Sequence, residues 1–431
     1  MNKSTLIKST ILLTFLLAIF AQMAVADMPV WKFPNAKWYS ILETGNLIVG
    51  NDGGVTMVDG SSGKPLWQRA ALKGVKEGEI TELRGTPFLI IADNSGVFQK
   101  KTKMIAVDTL TGKTIWEIDR IVGFTANVSV NYEKDMIIFL TIISNKVNKD
   151  KPDIYAVKLS TGEFLWHSEY TEKVDLYGKM KKSSWFSGGG GGFGLGGGLL
   201  GNKGNNSSDT FDLHGENPPV FDGDSVYLTY AGLHRFNLAD GKLVWGQKYD
   251  VTDGAMNNTN GGAIIDGDTI YTSANSMIRA INKNDGSVKW KTKDYGKGGI
   301  AQTIRVDNTL YCRMGGTFFD SKKGRYVTKG PIGVVAINKA DGAEDWYYKK
   351  ASILLGDEDT ITNMIVVPED HTLLVAGDKT LIALDTTVHG KTKEAYKIPL
   401  KFKNKVGFFS GGNKNDPPVN LYRVENGLVI V

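Results

Sequence analysis

The chain holds few residues whose types and spacing suit covalent or metal chemistry. Its single cysteine, Cys312, excludes an internal disulfide and any CxxC-type metal or redox site. The histidines show no i, i+4 pairing or other metal-ligand spacing. They are His167, His214, His234, His371 and His389. A Gly-x-Ser-x-Gly elbow is absent, and the glycine run ending at Gly201 lacks the Lys-Ser/Thr ending of a phosphate-binding loop.

One acidic cluster, Asp357-Glu358-Asp359, offers the oxygen ligands that a calcium ion prefers. Acidic triplets in loops are more commonly solvated turns than metal sites. We therefore expect no catalytic, cofactor-binding or metal-ligating residues in this sequence. Any function would then depend on the surfaces that the backbone elements present.

Those elements come from a repeat of about 50 residues. A clear copy is Ala106-Val-Asp-Thr-Leu-Thr-Gly112-Lys-Thr-Ile-Trp116. Its Asp can hydrogen-bond its own turn, its Gly takes the positive φ of a tight hairpin, and its Trp begins the outgoing strand. A degenerate seventh copy runs from Ala383 to Tyr396, with Tyr in place of Trp. The six complete copies end at Trp67, Trp116, Trp166, Trp245, Trp290 and Trp346.

Two more short strands precede each copy, joined by turns such as those within Val220–Thr229 and Ile264–Thr272. Four antiparallel strands per repeat form one blade of a β-propeller. A β-sandwich is the alternative fold, but it has no reason to repeat one signature seven times.

The two ends of the chain predict how the propeller closes. The segment around Trp31 has the form of an outgoing Trp strand, and residues 420–431 supply the first two strands of a blade. Pairing them gives an eighth blade and hides the sheet edges. We therefore predict an all-β, eight-bladed propeller closed by its N- and C-terminal strands. One strand of that blade is missing, so we expect the natural C-terminus to lie roughly 5–15 residues beyond Val431.

Residues 1–26 have the layout of a secretory signal peptide, with Lys3 and Lys8 before an apolar run and a small-residue cleavage site at Ala26. The apolar run is short for a membrane anchor, which is the alternative. We expect residues 27–431 to form a soluble periplasmic or secreted propeller. The formal net charge of +5 and the balanced surface argue against nucleic-acid binding. Export without disulfides fits a bacterial envelope protein.

A glycine-rich insertion at about 178–210 separates the third and fourth repeats. It has two interpretations: an unselected low-complexity linker, or a loop whose exposed apolar residues touch a partner or a membrane surface. Those apolar residues are Trp185, Phe186, Phe193, Leu195, Leu199 and Leu200. A second, basic insertion at 315–333 carries Lys322, Lys323, Arg325 and Lys329, and it is interpreted as a longer hairpin.

The pattern Ala-x-Asp-x-x-Thr-Gly-x-x-x-Trp resembles the repeat of pyrroloquinoline-quinone (PQQ) dehydrogenase propellers. The resemblance implies that Trp67, Trp116, Trp166, Trp245, Trp290 and Trp346 dock blade against blade. Such enzymes are larger and carry paired cysteines and a calcium site with a catalytic aspartate. None of these elements is found in this sequence, so no enzymatic activity and no PQQ cofactor are expected.

The chain is more similar to the non-catalytic branch of this repeat family, which includes the propeller subunit of the outer-membrane β-barrel assembly machinery. It differs from that subunit in lacking a lipid-anchor cysteine and in carrying the glycine-rich insertion. The resemblance implies a scaffold that binds another envelope protein. The alternatives are a PQQ-binding protein or small quinoprotein, and a polysaccharide-binding module.

Overall fold

The computed structural model contains almost only β-strands. It describes residues 31–76, 79–83, 86–93, 101–122, 124–143, 151–169, 219–229, 232–248, 262–274, 276–296, 298–320, 325–349, 360–377, 380–397, 421–424 and 427–430. These residues form two compact units, one ending at Lys73 and one beginning at Gly74. The signal-peptide prediction and the glycine-rich insertion at 178–210 lie outside the described residues.

The first unit contains one antiparallel four-stranded sheet, in which each strand pairs with the next along the chain. A 3-10 turn, Ala70–Leu72, follows it. Its strands are β1 (Trp38–Ile41), β2 (Leu47–Asn51), β3 (Gly54–Val58) and β4 (Pro65–Arg69).

The second unit contains six further sheets of the same kind, each formed by four consecutive antiparallel strands, and a final hairpin. A 3-10 turn, Pro368–Asp370, joins two strands of the last complete sheet. The strands of the second unit are numbered in chain order. Its strands are β5 (Ile80–Leu83), β6 (Phe88–Asp93), β7 (Lys101–Asp108), β8 (Thr114–Val122), β9 (Phe124–Asn131), β10 (Met136–Ile143), β11 (Lys151–Lys158), β12 (Phe164–Glu169), β13 (Val220–Asp222), β14 (Ser225–Leu228), β15 (Gly232–Asn237), β16 (Leu243–Lys248), β17 (Ile264–Asp266), β18 (Thr269–Ala274), β19 (Met277–Asn282), β20 (Val288–Lys291), β21 (Ile300–Val306), β22 (Thr309–Asp320), β23 (Arg325–Asn338), β24 (Glu344–Lys349), β25 (Met364–Val367), β26 (Thr372–Ala376), β27 (Thr380–Asp385), β28 (Lys391–Lys397), β29 (Leu421–Val424) and β30 (Gly427–Ile430).

Seven four-stranded sheets confirm the predicted repeat of blade-like units. The eighth blade and the closure of the ring stay predictions. In the described residues the chain after β28 contributes only the two-stranded sheet of β29 and β30, and Trp31–Phe33 are not in a strand. The hairpin nevertheless packs on the seventh sheet. The Asn363 amide donates to the Leu421 carbonyl and accepts from the Leu421 N–H, both at 2.9 Å.

The sheets of the second unit are buried on both faces because successive side chains of a strand point to opposite sides. In β10, Ile137 and Phe139 pack against the second sheet, whereas Ile138 and Leu140 pack against the fourth. This alternation explains why the strand is a continuous apolar run, Met136-Ile-Ile-Phe-Leu140. The core is therefore a series of apolar layers between neighbouring sheets.

A β-bulge recurs where the third strand of each sheet pairs with the fourth, and it fixes the position of the repeat tryptophan. In the second sheet the bulge lies between Ala106 and Val107, and Trp116 is opposite Ala106. The seventh copy departs from the sequence prediction, because Glu394 is opposite Ala383 and Tyr396 pairs with Leu381. Tyrosine does not replace tryptophan there, and the prediction was wrong.

The physical reason for that error is the turn length of the seventh copy. The Gly112 N–H bonds the carbonyl of Asp108, four residues back, whereas the Gly390 N–H bonds Asp385, five residues back. The extra residue lies before the glycine, so the position four residues after the glycine is Glu394. The prediction instead assigned the nearest aromatic residue, Tyr396, which lies two positions further along the outgoing strand.

The longer hairpin interpreted at 315–333 is confirmed. Strands β22 and β23 continue pairing from Gly316 opposite Lys329 to Asp320 opposite Arg325. We call this extension, Gly316–Asp320 with Arg325–Lys329, the arm.

Candidate functional site

The repeat tryptophans of the second unit make one recurring contact between neighbouring sheets. The Trp116 indole donates its Nε1–H to the carbonyl of Leu159 in the third sheet at 2.7 Å. The same bond joins Trp166 to Leu238 at 2.8 Å, Trp245 to Lys283 at 3.1 Å and Trp290 to Lys339 at 3.1 Å. We call each such contact a joint.

Trp346 also contacts the turn of the next sheet, and Trp67 belongs to the first unit. Trp346 lies against Gly390 of the seventh sheet, and Trp67 lies opposite Met57 within the first sheet. Trp31 donates its Nε1–H to the carbonyl of Gly60 at 3.0 Å, so it contacts the turn of the sheet that follows it in the chain, as the repeat tryptophans of the second unit do.

The repeat tryptophans of the second unit, and Trp31, each lie on a turn glycine in the left-handed region. At Gly162 φ is +73°, and a Cβ there would come within 2.8 Å of the Trp116 ring. Any larger residue would meet both a strained backbone and the ring. The repeat therefore needs its glycine and its tryptophan together, although they belong to different copies.

Two kinds of joint occur. In the leucine joints, Leu159 and Leu238 accept the indole bond and also bury their side chains beside Trp116 and Trp166. In the lysine joints, the accepting residue extends an ammonium group to an aspartate of the preceding sheet. Lys283 pairs with Asp222 at 2.9 Å, and Lys339 pairs with Asp266 at 2.7 Å.

The lysine joints shift the acidity of their partners. The hydrogen bond from Lys339 lowers the pKa of Asp266, with a further contribution from Arg305, whose Nη1 lies 3.5 Å from the carboxylate. The hydrogen bond to Asp222 raises the pKa of Lys283. Both pairs join neighbouring sheets, so they are structural ion pairs.

The two ends of every sheet differ in the connections they carry. Because the strands are antiparallel, the connections between strands one and two and between strands three and four share one end, which we call the turn end. The connection between strands two and three and the link to the next sheet share the other, the connection end. The longest link at the turn end is 59–64, whereas the connection end carries 170–219, 249–263, 350–363 and 398–420.

The connection end is therefore the candidate functional site. The link that contains the glycine-rich insertion begins at this end, after β12, and the arm extends from the sixth sheet at the same end. The side chains predicted as an interaction loop lie outside the described residues, as does the acidic cluster Asp357-Glu358-Asp359. They are Trp185, Phe186, Phe193, Leu195, Leu199 and Leu200.

Arg313, which the sequence analysis missed, is a fully buried cation at the root of the arm. Its guanidinium carbon lies 4.8 Å from the centre of the Phe318 ring, and its Nη2 donates to the Thr317 carbonyl at 3.1 Å. Burial lowers the pKa of Arg313 to about 9. Arg313 is not part of the repeat pattern, and what distinguishes it is its burial, which the sequence does not show.

The remaining chemistry-bearing residues are dispersed. Burial raises the pKa of the Cys312 thiol to about 12, which makes the thiolate scarce. His167 lies 3.4 Å from Asp153, and His389 lies 3.7 Å from Asp345. Within the described residues, no three His, Cys, Asp or Glu side chains are grouped as metal ligands would be. In the same residues, no helix has the length and apolar character to cross a bilayer.

Comparison with protein families gives one match. The family model described as outer membrane protein assembly factor BamB matches residues 35–168 and 150–349, which together are more than half of the chain. No curated protein sequence matches.

Several solved structures are similar to the chain at low sequence identity. The crystal structure of BamB from Moraxella catarrhalis is 14% identical, with a TM-score of 0.46 over 84% of this chain and 87% of that one. Quinohemoprotein alcohol dehydrogenase ADHIIG from Pseudomonas putida HK5 is 11% identical, with a TM-score of 0.45 over 82% of this chain and 65% of that one. The computationally designed Ika8 protein is 10% identical, with a TM-score of 0.48 over 92% and 93%.

Proposed function

The chain belongs to the family of the outer membrane protein assembly factor BamB, and we propose that it is a non-catalytic interaction scaffold of the bacterial cell envelope. In this proposal residues 1–26 direct export, cleavage occurs near Ala26, and the propeller acts in the periplasm. Its partner is another envelope protein, and it carries no cofactor.

The observation that carries the proposal is the difference between the two ends of the sheets. Repeated sheets bury both faces against their neighbours, which leaves the strand ends and the outer edges as surfaces for partners. The turn end is uniformly short, whereas every long link and the arm belong to the connection end. We propose that the partner binds at the connection end.

The glycine-rich insertion at 178–210 is proposed as part of that interface. Its Trp185, Phe186 and Phe193, among glycines and beside Lys181 and Lys182, suit a contact with an apolar groove or an anionic membrane surface. The repeat tryptophans have a different proposed role, which is to hold neighbouring sheets together.

In-cell crosslinking of the tagged, full-length protein, followed by mass spectrometry, tests the proposal. We expect one envelope protein to be enriched with the wild type and lost when residues 187–204 are deleted. The matched control is Leu110→Ser at the turn end, where the side chain is 66% exposed, and it should keep the partner.

Absence of an enriched envelope protein from every form would contradict the scaffold. A second measurement addresses the quinoprotein alternative: purified protein is titrated with PQQ and calcium and followed by absorbance. We expect no saturable binding, and a stoichiometric complex would overturn the proposal of a cofactor-free scaffold.

A further inference from the structure

The arm presents a strand edge that no other described strand covers. Pairing of β21 with β22 ends at Ile300 opposite Met314, and pairing of β24 with β23 ends at Gly333 opposite Lys349. Beyond these points Gly316–Asp320 and Arg325–Lys329 pair only with each other among the described strands. The arm is thus a two-stranded ribbon with two outer edges at the connection end.

The β22 edge of the ribbon is held by the protein itself. The Thr317 N–H donates to the carbonyl of Ile361 at 2.8 Å, and its hydroxyl bonds that of Thr360 at 3.0 Å. The Gly315 N–H donates to the carbonyl of Gly299 at 2.9 Å. Phe318 is fully buried under Arg313. The root of the arm is therefore fixed, and among the described strands none pairs with the β23 edge.

The bond from Thr317 fixes which backbone groups of β23 face outwards. Residues of an antiparallel pair alternate between facing their partner strand and facing away from it. Thr317 directs its N–H away from β23, so its opposite residue, Thr328, directs its N–H and carbonyl away from β22. By the same alternation the backbone N–H and carbonyl of Tyr326 point away from β22, whereas those of Val327 point towards Phe318. Thr328 is exposed, as is Pro331 at the end of the edge.

We propose that the β23 edge, Arg325–Lys329, binds an extended segment of an acidic protein partner as a third strand of the arm. Unpaired strand edges accept such segments through main-chain hydrogen bonds. The insertion carries four basic residues, Lys322, Lys323, Arg325 and Lys329, against the single acid Asp320. This inference rests on the proposed scaffold function and names the chemistry of its partner.

Charge selects between the occupants of this edge. A second copy of the chain would pair this basic insertion with another insertion of the same sequence and charge, and like charges across a strand pair are destabilising. An acidic strand gives the opposite sign at the same positions. Dimerisation of the purified protein through this edge, seen by light scattering and abolished by Thr328→Pro, would overturn the inference.

The test uses a synthetic ten-residue peptide of alternating Val/Thr and Glu and a second peptide with Lys for Glu. Binding to the full-length protein is followed by fluorescence anisotropy, and amide exchange by NMR of 15N-Thr-labelled protein. We expect the acidic peptide to bind and to slow exchange of the Thr328 amide. The Thr317 amide, already bonded to Ile361, should not change. The basic peptide should not bind.

Thr328→Pro removes the outward N–H but no hydrogen bond inside the ribbon, because that N–H points away from β22. Proline is tolerated at such positions of edge strands. We expect it to weaken binding of the acidic peptide about tenfold or more, whereas Thr328→Val should bind as the wild type does. Unchanged melting temperature shows that the variant is folded. Equal binding by Thr328→Pro, or no binding of the acidic peptide to the wild type, overturns the inference.

The two proposals fail separately. If the crosslinked envelope partner is kept by Thr328→Pro but lost on deletion of 187–204, the scaffold function holds and the arm is not its binding edge. If no partner is enriched in any form, the scaffold function itself fails.

Discussion

The leucine joints and the lysine joints connect the same kinds of elements, but the first depend mainly on buried apolar contacts and the second include a partly exposed ion pair. Both use an indole bond to the same carbonyl position of the next sheet. In the leucine joints Trp116 and Trp166 are at most 9% exposed, whereas Trp245 and Trp290 of the lysine joints are only partly buried. The lysine joints thus gain less from removing apolar surface from water.

The lysine joints place a tyrosine beside the indole. Tyr227 and Tyr271 lie 6.0 and 5.9 Å from the rings of Trp245 and Trp290, respectively. Both lysines and both aspartates retain solvent contact, with Lys283 and Asp222 side chains 23% and 35% exposed. An ion pair in such surroundings contributes little to the free energy of unfolding. The joints therefore share one backbone geometry but differ in the interactions that stabilise them.

The largest expected effect is the loss of unfolding free energy when a buried tryptophan of a leucine joint is replaced by alanine. Trp166→Ala should lower the free energy of unfolding by about 3–5 kcal/mol, because it leaves a cavity in a closed apolar layer. Trp290→Ala should cost about half as much, since part of its ring already contacts water. Urea unfolding of the full chain, followed by far-UV circular dichroism, measures both.

The control for the tryptophan pair is Phe at each position, which keeps a ring and removes only the Nε1–H bond. We expect Trp166→Phe and Trp290→Phe to lose similar amounts, about 1 kcal/mol from the bond plus some packing. If Trp290→Ala destabilised the chain as much as Trp166→Ala, burial would not be what distinguishes the joints.

A smaller effect is expected at the turn glycines. Gly162→Ala should cost about 2–3 kcal/mol, because a Cβ at φ +73° both strains the backbone and meets the Trp116 ring. Gly223→Ala is the matched control. Its φ is +54°, and its Cβ would meet nothing within 4 Å, so only the strain of about 1 kcal/mol applies. Equal losses in urea unfolding would show that the indole yields to the methyl group.

The four-stranded repeat could be predicted from the sequence because each copy carries its own local reasons. The glycine demands a turn, the apolar alternation a strand, and the tryptophan a neighbouring surface. Glu394 has the same four-residue spacing from its turn glycine as the tryptophans have from theirs, but it is not aromatic, so the prediction assigned the nearby Tyr396. Which of these residues lies opposite Ala383 is decided by pairing across the sheet, and residue type alone does not indicate it.

The candidate site was predictable only in part. The positions of the insertions were visible as breaks in the repeat, but their common location at one end of the sheets follows from strand direction. The role of Arg313 could not be predicted, because arginine is usually exposed and only the packing of the sheets shows that this one is buried. The ion pair of Lys339 with Asp266 joins residues of different copies, 73 positions apart, and no spacing in the sequence indicates it.

The smallest expected effect is the pH dependence of a lysine joint. Asp266 has its pKa lowered from 3.8 by Lys339, so its ion pair adds stability above that pH and loses it as the pH falls through the lowered value. Asp266→Asn should therefore unfold at lower urea than the wild type at pH 7, by under about 1 kcal/mol. The difference should shrink below pH 3.8 and in high salt.

The leucine joints provide the contrast for this last measurement. Leu159→Met changes no charge and nearly conserves volume, so its small effect on the urea midpoint should be the same at every pH. A pH-independent loss for Asp266→Asn would mean that the carboxylate acts through hydrogen-bond geometry instead of charge. In that case the lysine joints would differ from the leucine joints only in how much of the tryptophan they bury.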